Sequence, residues 1–202
     1  MSALNERTML PLTAPGLTLA QLFEFRRDKE LLPNNLTMFG KWLRIANVDL
    51  RTFQGTIFVP TNKAICNLVR PLLSEEEVQE NSTSSQSTVN PPAPVITDEQ
   101  IVKITRYSTV PKTVISFDEP LSAYEDNGQH NTLADIPIFV AYEHGEPVVY
   151  DVRQKMSRVV EMIQPATAGV TVYVVDSVLV PTDGFMGTRG QSVRAQPPVF
   201  RA

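Results

Sequence analysis

A single cysteine, Cys66, excludes any internal disulfide, and two histidines, His130 and His144, leave little material for a metal centre or a general base. No apolar run approaches the ~20 residues that a membrane-spanning helix needs. Basic residues are scarce relative to acidic ones, 18 against 22 for a net charge of −4, which is a poor match to a phosphate backbone. The densest basic cluster, Arg26-Arg27 with Lys29, is interleaved with Asp28 and Glu30 and reads as a solvated helix face. The amino-terminal stretch lacks the basic, apolar and small-residue order of a secretory leader, since Pro11, Pro15 and Gly16 interrupt it. The expectation is an intracellular protein that binds no nucleic acid and inserts into no membrane.

What is present is an ordinary globular balance, 42% hydrophobic and 20% charged over 202 residues, enough for one domain with extensions. Residues 1–16 read as an irregular arm. Leu17–Glu30 is helix-compatible, with Leu19, Leu22 and Phe23 on one face and the stem of Arg26 beside them, and Pro33-Asn34-Asn35 stops it. Leu36–Asn47 is amphipathic, with Phe39, Leu43 and Ala46 at helical spacing, Trp42 beside them and Gly40 weakening the pattern. Residues 79–95, almost all Ser, Thr, Gln, Asn and Pro, form a low-complexity inserted loop that cannot offset its ordering entropy by burial. Thr97 caps a helix through a box with Gln100, turning Ile101 and Ile104 inward.

Residues 112–117 and 136–142 read as strands, separated by a polar excursion from Tyr124 to His130. Ile136–Tyr142 and Pro147–Val152 form a hairpin around Glu143-His144-Gly145-Glu146. Val170–Val180 is a β-branched central strand or strand pair, and residues 182–202 form an extended tail.

The most informative stretch is Gly55 to Ala64, GTIFVPTNKA. Thr56–Val59 is a short β-branched and aromatic run bounded by Gly55 and Pro60, hence a buried strand. Thr61 or Asn62 then caps a helix that carries Ala64, Ile65 and Leu68 inward and breaks at Pro71. Cys66, inside that helix, reads as a small buried thiol. Beyond the break, Ser74 and Glu77 form a second capping box that opens a short turn of helix.

This string resembles the first signature of the fasciclin domain, an adhesion and interaction module, in Thr56, Phe58, Pro60, Thr61, Asn62 and Ala64. Ile101–Pro111 is similar to the helix that leads into the family's Tyr-His pair. Tyr107 matches there, while Ser108 stands where histidine is usual. Ser157–Val160 resembles the strand before the second signature, and Gly169–Pro181 resembles that signature through Asp176, Leu179 and Pro181. Tyr173 takes the place of its histidine. The resemblance spans residues 17–181 and implies an α+β wedge, a twisted seven-stranded β-sandwich with helices packed at one side. It also implies that the two missing histidines support the fold in relatives. Tyr173 and Ser108 therefore either form a substitute polar contact or point elsewhere.

An enzyme finds little support. His130 and His144 fall in polar loops, and Glu75, Glu76 and Glu77 diverge around a helix. Gly184, Gly187 and Gly190 have no following helix to make a phosphate cradle, and Arg189-Gly190-Gln191 lacks the acidic residue of an adhesion tripeptide. Asp176 is expected to be buried and to fix a turn through backbone N–H groups. No catalytic residue, cofactor or metal is assigned. The expected role is a non-enzymatic adapter subunit of a large assembly, such as a ciliary microtubule lattice or an organelle complex. It would bind other proteins through arm, loop and tail. Phe185, Met186, Arg189, Arg194 and Phe200 are the candidate partner-binding residues, because aromatic and arginine side chains anchor interfaces. The alternatives are a secreted or surface adhesion domain and a carrier of an apolar small molecule.

Overall fold

In the computed structural model the described residues are 12–13, 16–24, 36–77, 96–117 and 128–181. In chain order the elements are β1 (Leu12–Thr13), α1 (Leu19–Glu24), α2 (Thr37–Ile45), β2 (Gly55–Pro60), α3 (Asn62–Glu77) and α4 (Asp98–Tyr107). Six strands follow: β3 (Thr109–Pro111), β4 (Gln129–Asn131), β5 (Pro137–Glu143), β6 (Glu146–Tyr150), β7 (Met156–Gln164) and β8 (Val170–Val175). The inserted loop at 79–95, Tyr124–Asn127 and the tail at 182–202 with Phe185, Met186, Arg189, Arg194 and Phe200 lie outside the described residues. So do Arg26 and the rest of the first expected helix beyond Glu24.

The strands form one mixed sheet in the order β3-β2-β8-β7-β6-β5-β4, with β1 added beside β7. The seven-strand path expected from the sequence is therefore present, and it curls toward closure. Just past β4, the amide of Leu133 donates to the carbonyl of Thr109 on β3 at 2.8 Å. At the centre, β2 and β8 run parallel from Gly55↔Val170 to Pro60↔Val175. Every residue of both strands is buried, as expected of apolar runs covered on two faces.

Two interiors result from the alternation of side chains. Ile57, Val59, Val170, Val172 and Val174 meet Leu19, Leu22, Phe39, Leu43, Ile65 and Ile104 under the helices. Phe58, Tyr173 and Val175 point the other way, into the curl of the sheet, against Ile138, Val140, Val149 and Val159. The helices thus cover one side of the sheet, and both signature strands contribute to both interiors. Gly40 belongs to this packing: a Cβ there would lie 3.0 Å from Cβ of Phe23, so glycine lets α1 and α2 approach closely.

Several expectations are corrected. Pro71 does not break the helix, and α3 continues to Glu77 through the expected second capping box. A proline costs such a helix one backbone bond to the residue four before it. That residue, Asn67, is exposed, so water can take the freed carbonyl. Cys66 is exposed: one position past buried Ile65, it lies about 100° further round the helix, on the solvent side. Residues 112–117 are not a strand. Lys112 takes a left-handed φ of 61°, ending β3. His130 sits in β4, half-buried, and not in a polar loop. The arm read as irregular contributes β1, parallel to Ile163–Gln164. β8 stops at Val175, and Val178–Val180 continue as buried irregular chain. The hairpin is tighter than its four-residue loop suggested, since Glu143 and Glu146 pair and leave only His144-Gly145 as the turn.

Candidate functional site

The residues of the two signatures assemble at the β2–β8 pair, and their polar atoms are turned on the backbone. Thr56 Oγ1 donates to the carbonyl of Thr113 at 2.8 Å and accepts from the amide of Ile115 at 2.9 Å. One threonine thereby replaces the ladder bonds that residues 112–117 would have made as a strand. Phe58 stacks on Tyr173, its register partner, with ring centroids 5.6 Å apart, and Phe117 meets Tyr173 edge-on at 4.9 Å. The Tyr173 hydroxyl donates to the carbonyl of Ile115 at 2.8 Å.

Beyond Pro60, Thr61 caps α3 by accepting from the amide of Ala64 at 3.1 Å. Asn62 does something different. Its Oδ1 accepts from the amide of Met38 at 3.3 Å, at the start of α2, where the N-cap position is Leu36 and supplies no cap of its own. Ala64 is buried under the helices, while Leu179 and Pro181 are buried at the end of the second signature. The expected box at Thr97 is formed: its hydroxyl accepts from the Gln100 amide, and the Gln100 side chain accepts from the Thr97 amide.

Tyr107 pins the opposite wall. Its hydroxyl donates to the carbonyl of Pro137 at 3.1 Å and accepts from the amide of Val152 at 3.0 Å. Burial raises its pKa far above the ordinary tyrosine range. Ser108, the other histidine position, is fully buried, and among the described residues its hydroxyl has no partner. It contributes through its carbonyl, which accepts from the Phe58 amide at 2.8 Å. Tyr173 and Ser108 therefore do not form a substitute pair: Tyr173 finds a carbonyl and Ser108 finds none.

Asp176 does bond a backbone N–H, accepting from Arg158 at 2.9 Å, but it is exposed and not buried. The buried aspartate of the described residues is Asp151, which sequence reasoning passed over. Its carboxylate accepts from the amides of Arg153 and Lys155 and pairs with the Arg153 guanidinium at 2.7 Å. The signal was available in the sequence, as an aspartate opening a short polar link between two strand-like runs.

The polar side chains of the two signatures are directed at backbone groups among the described residues. Among the described residues, no group of three His, Cys, Asp or Glu side chains could hold a metal ion. No described helix is long and apolar enough to cross a membrane. His130 lies on β4, Cys66 on the solvent side of α3 and His144 in the hairpin turn, on three separate elements.

No curated protein matches the chain. A solved structure of a FAS1 domain pair from the insect cell adhesion molecule fasciclin I is similar, with 14% identity and a TM-score of 0.45. The match covers 73% of this chain and 45% of the insect one, so this chain spans less than half of that pair. The family model for the fasciclin domain matches residues 34–181, well over half the chain. Both signatures fall inside that match, and the chain belongs to the fasciclin domain family.

Proposed function

We propose that this chain is a non-enzymatic interaction protein, a structural or adapter subunit whose fasciclin domain is a rigid block. The arm at 1–16, the inserted loop at 79–95 and the tail at 182–202 supply its contacts to neighbouring proteins. One observation carries the reading: Thr56, Thr61, Asn62, Tyr107, Asp151, Tyr173 and Asp176 each hold backbone with their polar atoms. These seven polar groups are occupied in fixing the fold. Fasciclin domains are known in adhesion and protein interaction, which points to surface recognition as the work of such a block. The net charge of −4 favours protein partners over nucleic acid.

The setting that suits a small acidic block with a flanking arm, an insertion and a tail is a large intracellular assembly, with a ciliary microtubule lattice or an organelle complex as the proposed sites. Phe185, Met186, Arg189, Arg194 and Phe200 are the proposed anchors. Microscopy of the tagged full chain in its native cell tests the setting. Signal on an internal structure supports it, and recovery of the protein outside the cell overturns it.

A further inference from the structure

We propose that the solvent face of α2, with the turn that follows it, is a docking surface for an acidic segment of a partner protein. Phe39, Trp42 and Leu43 turn one side of this helix inward and are buried. At about 100° per residue, Arg44, Lys41 and Ile45 fall together on the opposite side, three and four positions apart and so within reach of one another. Arg44 and Lys41 are exposed, and Ile45 between them is 42% exposed, so no other part of the chain covers this stripe. The chain leaves the helix through a left-handed Asn47 and reaches exposed Arg51 within six residues of Ile45.

The charges on this face lack partners. Elsewhere Lys103 pairs with Glu99, Arg153 with Asp151 and Arg158 with Glu146, while Arg106 donates to the Leu133 carbonyl. Among the described residues, Lys41 and Arg44 meet no carboxylate at ion-pair distance. The one acid of the stretch, Asp49, is committed to its own turn. It accepts from the Thr52 hydroxyl at 2.8 Å and from the Arg51 amide at 3.0 Å, and these bonds hold its carboxyl below the usual range. Three cations against one carboxylate leave +2 over residues 36–54, in a chain whose total is −4. The negative end of the helix dipole accounts for Arg44, in the last turn, but Lys41 lies a turn earlier, beyond the reach of that effect. An apolar side chain set between two cations selects the partner, since carboxylates answer Lys41 and Arg44 while a neighbouring apolar residue covers Ile45. A phosphate backbone would leave Ile45 without an apolar contact, and a bilayer surface needs a broader apolar face than one isoleucine. The surface belongs to the folded domain, so it goes beyond the contacts proposed for arm, loop and tail and stands without them.

Binding of a labelled peptide of five Glu-Glu-Leu repeats to the full chain, read by fluorescence anisotropy at low salt, tests this. The full chain should bind it saturably, and the Lys41→Glu, Arg44→Glu double variant about tenfold or more weakly. Ile45→Ser should weaken binding about threefold, and a Gln-Gln-Leu peptide of the same length should not bind. Lys155→Glu, which reverses an exposed cation on the link between β6 and β7, should leave the affinity unchanged. Absence of saturable binding by the full chain, undiminished affinity in the double variant or in Ile45→Ser, or an equal loss in Lys155→Glu would each overturn the proposal. Tighter binding to phosphatidylserine vesicles or to duplex DNA than to the peptide would overturn it too, by assigning the face to a phosphate-bearing surface. Should the double variant lose the parent's circular dichroism, amide chemical shifts of the full chain decide. Peptide-induced shifts centred on residues 41–51 support the proposal, and shifts centred elsewhere refute it.

Discussion

Removing the two hydroxyls at the histidine positions should change stability with opposite signs. Tyr173→Phe keeps the ring, so the stack on Phe58 and the edge contact with Phe117 persist, and only the bond to the Ile115 carbonyl disappears. That carbonyl belongs to an irregular segment inside the sheet and has no strand partner. Leaving a buried acceptor unpaired costs about 2 kcal/mol, or about 4–8 °C in Tm for a domain of this size. Ser108→Ala deletes a fully buried hydroxyl that has no partner among the described residues. Its backbone bond to the Phe58 amide is untouched, so the change should be neutral or stabilising by about 1 kcal/mol. Urea unfolding followed by far-UV circular dichroism and by Trp42 fluorescence measures both, with coincident transitions establishing two-state behaviour. The reasoning fails if Tyr173→Phe stays within about 0.5 kcal/mol of the parent, or if Ser108→Ala destabilises by more than that.

Three further outcomes follow from the same geometry. Gly55→Ala should be far more disruptive than an ordinary strand substitution, on the order of 3 kcal/mol or more. Its φ is 130° and a Cβ would sit 2.2 Å from the Val110 carbonyl oxygen, forcing β2 from β3; thermal unfolding would show it. Asn62→Ala should cost about 1 kcal/mol, and hydrogen exchange should locate the loss at the first turn of α2, leaving α3 capped by Thr61. Burial holds the His130 imidazole below its ordinary pKa of 6.5, so the unfolded chain binds the proton more readily. Stability from this group is complete above the ordinary value and declines as pH falls through that value toward the depressed one. His130→Gln should remove this part of the acid sensitivity, and parallel urea titrations at pH 7 and pH 5 that give the same loss in both proteins would refute it.

The signature strands were legible because their burial is encoded locally. Thr56–Val59 and Val170–Val175 are unbroken runs that suit only a strand covered on both faces. The hairpin around Gly145 and the box at Thr97 and Gln100 carry their own turn and cap chemistry, and both formed. The misreadings share a different cause. Lys112–Phe117 has strand-like composition, but its backbone is satisfied by the side chains of Thr56 and Tyr173, more than fifty residues away in sequence. Cys66 and Asp176 depend on how α3 is rotated and where β8 ends, which tertiary packing decides. Thr61 and Asn62 were alternatives for the cap of α3; Thr61 provides it, and Asn62 instead serves a helix that precedes it in the chain. Nothing local could have shown which helix it would serve.

The adapter reading rests most directly on the company the protein keeps through its tail. The measurement is quantitative co-purification of the tagged full chain from its native source. A variant with Phe185, Met186, Arg189, Arg194 and Phe200 all changed to serine is run in parallel, and both samples are sized on a gel-filtration column. The account predicts that the full chain elutes in an assembly well above its own 22.5 kDa with fixed ratios of other proteins, and that the variant falls out of it while keeping the parent's circular dichroism. Elution of the full chain alone at its own mass, or an assembly that the serine variant joins equally well, would contradict it.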